Sequence, residues 1–180
     1  EYDRSCVRAT LILMKLLIRQ GSYREAGGQC FKVFDQNPEF GPEAIDRLMK
    51  LEHEHGDIGR LAKKLRKLYE SYPSTSLLLA LVESVERASG RPAAIDLLRQ
   101  ELETRPSVRG LLRLVEMAGY EKGMTTDEGR LVSRIGHLIL ANRPVYRCVS
   151  CGFSGRQLHW LCPSCKQWET VRPIQGVEAE

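Results

Sequence analysis

The sequence predicts a mainly α chain: a solenoid of helical hairpins followed by a small four-cysteine metal module. Three observations predict it. Glycine and proline breaks recur at intervals near 34 residues through most of the chain. Between the breaks, apolar residues fall at helical spacing and almost no strand signal appears before residue 142. Close to the C-terminus, Cys148-Val149-Ser150-Cys151 and Cys162-Pro163-Ser164-Cys165 form two C-x-x-C pairs ten residues apart. We divide the chain into helical repeats over 1–141, about four helical pairs, and a metal-binding module over 142–180.

The helices follow in order. Leu11 to Ile18 is strongly apolar and stops at Gln20-Gly21. Tyr23, Ala26, Cys30, Phe31 and Phe34 mark the second helix, which ends at Asn37-Pro38. Ala44, Ile45, Leu48 and Met49 mark the third, ending near Gly56. Ile58, Leu61, Ala62, Leu65, Leu68 and Tyr69 form the cleanest i, i+3, i+4, i+7 stripe, stopping at Tyr72-Pro73. Leu77 to Ala88 is the fifth. Pro92 suits the first turn of the sixth, which carries Ile95, Leu98 and Leu102. Val108 to Ala118 closes at Gly119. Thr125-Thr126-Asp127-Glu128 contains a capping-box pattern, and Leu131, Val132, Ile135, Leu138 and Ile139 make the stripe of the eighth helix.

Composition fits a folded, water-exposed chain. Of 180 residues, 42% are hydrophobic and 28% charged, and the net charge of +4 is too mild to diagnose a nucleic-acid partner. No apolar run approaches 18 residues, so this stretch does not cross a membrane as a helix. The first residue is Glu1, which suggests a fragment of a longer chain.

Gly21, Gly56, Gly90 and Gly119 close the first helix of each pair; Pro38, Pro73, Pro106 and Pro144 close the second. Gly21-Ser22-Tyr23 followed by Ala26 and Pro38 resembles the G-x-Y…A…P frame of tetratricopeptide repeats, and Gly56-Asp57-Ile58 with Pro73 matches it more loosely. The third unit has Pro92 at the aromatic position and the fourth is irregular. The expectation is three degenerate repeats plus a variant fourth, stacked because one hairpin cannot bury both of its apolar faces. The first helix is apolar nearly all round, as if a preceding repeat covered it.

Two C-x-x-C turns face to face can set four thiolates at the corners of a tetrahedron, the geometry of a closed metal site formed by Cys148, Cys151, Cys162 and Cys165. Gly152 suits a knuckle turn after the first pair, and Pro163 stiffens the second. Paired disulfides would need an oxidising compartment, for which no signal peptide speaks. A redox C-x-x-C would stand alone in a βαβ setting. His159 would be a fifth ligand and reads as a packing or surface residue. Zinc is the first choice of metal and iron the alternative. Tyr146, Phe153, Trp160 and Trp168 are expected to surround the metal, with short strands near Tyr146-Arg147, Leu158-Leu161 and Thr170-Ile174.

Elsewhere the chemistry is plain. Glu52-His53-Glu54-His55 is not H-E-x-x-H and reads as a helix end. Arg60, Lys63, Lys64 and Lys67 form a basic stripe, read as a solvated face. Cys6 and Cys30 read as small core residues. No catalytic triad, phosphate loop or acid pair stands out, so no catalysis is expected.

The run Tyr146-Arg147-Cys148-x-x-Cys151-Gly152-Phe153, then His159-Trp160-Leu161-Cys162-Pro163-Ser164-Cys165, then Trp168-Glu169-Thr170-Val171-Arg172-Pro173-Ile174, resembles the rubredoxin-type C-terminus of the LapB (YciM) family. The domain order matches as well. The resemblance implies a non-enzymatic regulator of lipopolysaccharide biosynthesis at the cytoplasmic face of the bacterial inner membrane. It implies promotion of LpxC-type deacetylase degradation by the FtsH-type membrane protease, opposed by an inner-membrane sensor protein, with anchoring by an N-terminal membrane helix absent from this stretch. It further implies that Cys148, Cys151, Cys162 and Cys165 hold the metal and that the module docks on the last helices; we expect the metal to fix the module's position against the 126–141 helix. Two other classes stay open: a rubredoxin-like electron-transfer protein and a zinc-ribbon nucleic-acid-binding module. The module has only five Lys/Arg against three Asp/Glu from Asn142 onward, and the two negative charges of a four-thiolate zinc centre offset that excess, which weakens the second.

Overall fold

The computed structural model describes residues 6–55, 58–121, 127–141 and 143–174. Helices α1 (Val7–Arg19), α2 (Tyr23–Gln36), α3 (Gly41–His55), α4 (Ile58–Ser71), α5 (Thr75–Ser89), α6 (Arg91–Thr104), α7 (Val108–Glu121) and α8 (Asp127–Ala141) precede strands β1 (Tyr146–Cys148), β2 (Ser154–Gly155) and β3 (Val171–Pro173). A short 3-10 turn, Pro38–Phe40, sits between α2 and α3. The expected class, helical hairpins followed by a small module, is the one observed.

Local chemistry sets the breaks. Gly21, at φ 78°, ends α1 in a paired cap: its N–H reaches the Ile18 carbonyl at 3.1 Å and the Ser22 N–H reaches Leu17 at 2.9 Å. The Ser74 hydroxyl accepts the Leu77 N–H at 3.3 Å to start α5, and the Ser107 hydroxyl accepts that of Gly110 at 3.1 Å to start α7. Pro38, expected only to close α2, instead opens the 3-10 turn, where the Asn37 side chain accepts the Glu39 N–H at 3.0 Å.

Neighbouring helices pack in sequence, and α5 also packs on α3 and α7 on α5, as stacked hairpins require. Met14, Phe34, Leu48, Leu65, Leu81 and Leu98 are almost wholly buried in one continuous core. Burying a side chain of this kind contributes about 1.5–3 kcal/mol. The Arg47 guanidinium donates to the Leu11 carbonyl at 3.1 Å, tying α3 to α1. Ile12, Leu13 and Leu16 remain exposed on the outer side of α1.

The sheet has order β2-β1-β3, both pairs antiparallel, with Tyr146 opposite Gly155 and Pro173, and Cys148 opposite Val171. The middle strand expected at Leu158–Leu161 is not there. The turn after Cys148 reverses the chain at once, so Ser154–Gly155 takes the place beside β1 and Leu161 forms only a bridge to Trp168.

Among the described residues, the module does not dock on the last helices. It reaches back to the junction of α2 and α3. Trp160 stacks on Phe40 of the 3-10 turn at 5.3 Å between centroids. Arg172 pairs with Glu39 at 2.8 Å, and the Tyr146 hydroxyl donates to the Glu43 carboxylate. Arg8 of α1 lies 5.2 Å over the Trp168 ring. Trp160 therefore serves the helical side of the boundary, and Trp168 stays largely exposed. Burial, then Glu43, pushes the Tyr146 phenol well above its usual range, which keeps it a neutral donor.

A second expectation changes at α8. An apolar stripe ordinarily faces a core, yet these five residues are exposed. The helix turns small residues inward instead: Gly136 is buried so close to α7 that a Cβ there would come within 2.3 Å of Leu112. His137 holds the same boundary, 2.8 Å from Glu116 of α7. Arg60, Lys63, Lys64 and Lys67 are exposed along α4, as expected of a solvated face. The Glu52–His55 side chains and the Thr125-Thr126 part of the capping box lie outside the described residues.

Gly41 makes the tightest test of the α2–α3 corner. A Cβ there would lie 2.4 Å from the ring of Phe34, itself fully buried. Gly41→Ala should cost about 1–3 kcal/mol. Gly28→Ala, in open space on α2, should add about 0.5–1 kcal/mol. Thermal unfolding of the two variants checks the opposite signs.

Candidate metal centre

Each C-x-x-C turn is built the same way. After β1, the Gly152 N–H donates to the Cys148 carbonyl at 3.0 Å, and the Cys148 N–H donates to Phe153 at 2.7 Å. In the second turn, the Lys166 N–H donates to the Cys162 carbonyl at 3.0 Å, and the Cys162 N–H to Gln167 at 2.9 Å. The residue closing each turn is left-handed: Gly152 at φ 75° and Lys166 at φ 58°. Glycine enters that region at no steric cost, whereas lysine is strained there by its Cβ. The Lys166 ammonium donates to the Pro163 carbonyl at 2.8 Å across its own turn.

These turns bring Cys148, Cys151, Cys162 and Cys165 together, with their sulfurs all within 4.8 Å of one another. Cys148 lies 3.8 Å from Cys165 and Cys151 lies 3.7 Å from Cys162. Those separations are far too long for disulfides. They match the edge of a sulfur tetrahedron, about 3.8 Å for zinc–sulfur bonds near 2.3 Å. Among the described residues, no other group of three or more His, Cys, Asp or Glu side chains is arranged to hold a metal. His159 stands aside, edge-on to Phe153 at 6.1 Å.

The surroundings favour thiolates unevenly. The Thr170 hydroxyl, 3.2 Å away, leads in lowering the Cys148 thiol to about 6, helped by backbone N–H groups of Cys151 and Ser150. The Phe153 N–H lowers Cys151. Burial outweighs the N–H groups of Cys165 and Ser164 and pushes Cys162 up to about 11. Four thiolates this close repel one another unless a cation stands among them. The donor set, four soft sulfurs with backbone N–H groups turned toward them, fits a divalent metal in a closed site. This is a four-cysteine metal-binding site. Cys30 is different: it lies in the helical core, and burial pushes its thiol up to about 12, as a packing residue requires.

Three parts of the site were not anticipated. The Thr170 hydroxyl carries no sequence mark. The left-handed Lys166 does, since C-x-x-C-G and C-x-x-C-K align residue for residue. The third is that Tyr146 and Trp160, each two residues before the first cysteine of its pair, are among the residues that meet the helical part.

Comparison with known proteins agrees with this picture. Residues 146–173 match the family model for the rubredoxin metal binding domain. The chain is similar to lipopolysaccharide assembly protein B of Escherichia coli K12, 25% identical over 178 residues, covering 98% of this chain and 46% of that protein. It is 30% identical over 177 residues to lipopolysaccharide assembly protein B of Haemophilus influenzae, covering 97% of this chain and 44% of that protein. The chain thus spans less than half the length of these relatives, and the family resemblance read from the sequence is borne out along nearly all of this chain.

The two turns make opposite predictions. Gly152→Ala should weaken metal retention by about 1–2 kcal/mol, because it forces a Cβ into the left-handed region. Lys166→Gly should leave retention unchanged or improve it by up to about 1 kcal/mol. Competition with a zinc chelator measures both. Stronger loss from Lys166→Gly than from Gly152→Ala would contradict the paired-turn account.

Proposed function

We propose that this chain, related along nearly all of its length to lipopolysaccharide assembly protein B, acts in lipopolysaccharide assembly as a non-enzymatic adaptor. The observation that carries the reading is that the similarity runs through the repeats and the metal module together, not through the module alone. The adaptor would work at the cytoplasmic face of the inner membrane. It would present an LpxC-type deacetylase to an FtsH-type membrane protease, with an inner-membrane sensor protein opposing it. Among the described residues no helix is long and apolar enough to cross a membrane. Anchoring would therefore fall to a segment outside those residues.

The geometry supports protein–protein contact as the mode of action. A groove of about 450 Å³ lies among α3, α5 and α7, lined by Glu43, Asp46, Met49, Glu83 and Arg109 together with Tyr146 of the module. A second hollow of about 790 Å³ continues it past Arg113 to His137 of α8. The repeats and the module thus share one surface of mixed charge, suited to an extended polar segment of a partner. Cys148, Cys151, Cys162 and Cys165 would hold zinc in a structural role, keeping Tyr146 in place at the groove. Iron in the same site would instead supply one-electron redox chemistry.

Binding of the purified chain, zinc-loaded and metal-stripped, to the deacetylase and separately to the protease tests the reading. Zinc-loaded chain should bind at least one of them, and stripping should weaken binding about tenfold or more, as expected when a folded contact surface is lost. Absence of binding to both would contradict it. Elemental analysis should find one zinc per chain; a red, reversibly reducible protein would favour electron transfer.

A further inference from the structure

Helix α8, at the end of the solenoid, carries an apolar face that no described part of the chain covers. Leu131, Val132, Ile135, Leu138 and Ile139 of α8 are between 45% and 57% exposed, and Leu111 of α7 is 53% exposed. On the helical wheel the five α8 residues span roughly 120° of arc, centred on Ile135. The opposite side of α8, through Gly136 and His137, already meets α7. Large aliphatic side chains left half exposed along one helix face are the kind of surface that marks an interaction site. The 32 described residues after α8 do not cover it, because they form the module seated on the 3-10 turn and α3.

The fold shows what shape fits there. α5 lies against α3 and α4, and α7 lies against α5 and α6. Each hairpin thus receives the next helix along its open side, and α7–α8 is the hairpin with nothing on that side among the described residues. Charge narrows the choice. Arg130 and Arg134, both exposed, flank the stripe on the side away from α7, with Asp127 loosely paired to Arg130 at 3.9 Å. The acid nearest on α7, Glu116, is already engaged by Arg113 and His137. In a two-fold pairing with a second copy about Ile135, the arginine flank would meet itself.

We propose that the α7–α8 face is a docking site for an amphipathic helix of a partner protein, seated as the next helix of the stack, with acidic residues beside its apolar stripe. The inference stands on the exposed stripe, the stacking pattern and the arginine flank, and does not depend on the lipopolysaccharide reading.

The test uses the zinc-loaded chain and three synthetic helical peptides of α8 length. One carries leucines at i, i+3, i+4 and i+7 with flanking glutamates, one has lysines in place of the glutamates, and one is a scramble of the first. Fluorescence anisotropy should show saturable binding of the glutamate peptide, about tenfold tighter than the lysine peptide, and none of the scramble. Ile135→Asp with Leu138→Asp should abolish binding without lowering the melting temperature, since both side chains lie at the surface. Arg130→Glu with Arg134→Glu should reverse the preference between the charged peptides. Equal binding of all three peptides, or of none, overturns the proposal. So does self-association that Ile135→Asp removes, which assigns the face to a second copy. Sedimentation with phosphatidylglycerol vesicles that the same substitution removes assigns it to a lipid surface.

Discussion

Four sulfurs held within 4.8 Å govern how this molecule is put together. The module is too short to bury a sufficient core of its own, and its described buried cluster is Cys148, Cys162 and Val171 with a few partly covered neighbours. Metal binding must therefore supply most of its order. The same residues carry the contact with the helices. Tyr146 and Cys148 share one face of β1, as residues two apart on a strand do, so fixing the sulfur fixes the phenol that meets Glu43. Trp160, two residues before Cys162, meets Phe40. Arg172, beside the buried Val171, completes the boundary at Glu39. The ion pair is half exposed and contributes at most about 1 kcal/mol. The stacked aromatics and the half-buried phenol set the position, and both depend on the knuckles being closed.

This boundary lies at the second hairpin. The chain runs out along the helices to α8 and then returns, so the first turn of α3 and the sheet lie together although Glu39 and Arg172 are 133 residues apart. Gly41 makes the corner possible by letting α3 approach the Phe34 ring, and the 3-10 turn presents Phe40 beside it. Because the module goes to this corner, α8 is left as the end of the stack. Gly136 packs while the five large aliphatic residues of its stripe face outward, the reverse of a helix that ends a core.

Much of the helical part was legible in the sequence. Gly21, Gly90 and the prolines mark breaks by local backbone chemistry, which needs no knowledge of the rest of the fold. The two C-x-x-C pairs likewise announce their own geometry. What was not legible is long-range or short-lived in sequence. The Ser154–Gly155 strand is two residues long and has no periodicity to detect. The docking of Tyr146 on Glu43 depends on how far the stack turns before the chain leaves it. The α8 stripe shows that periodicity reports an amphipathic helix but not what covers it. Gly129 and Gly136, seven residues apart on one face, were the available sign that the packing side lay elsewhere.

Hydrogen–deuterium exchange on zinc-loaded and metal-stripped chain tests most directly whether the metal holds the module to the second hairpin. Stripping should raise exchange across residues 38–49 as well as in the module, while the central helices α5 and α6 keep their protection. Thiol labelling of the four cysteines would confirm that the metal had left. Unchanged protection across 38–49 with all four thiols labelled would show that the module docks without its metal, and would contradict the account.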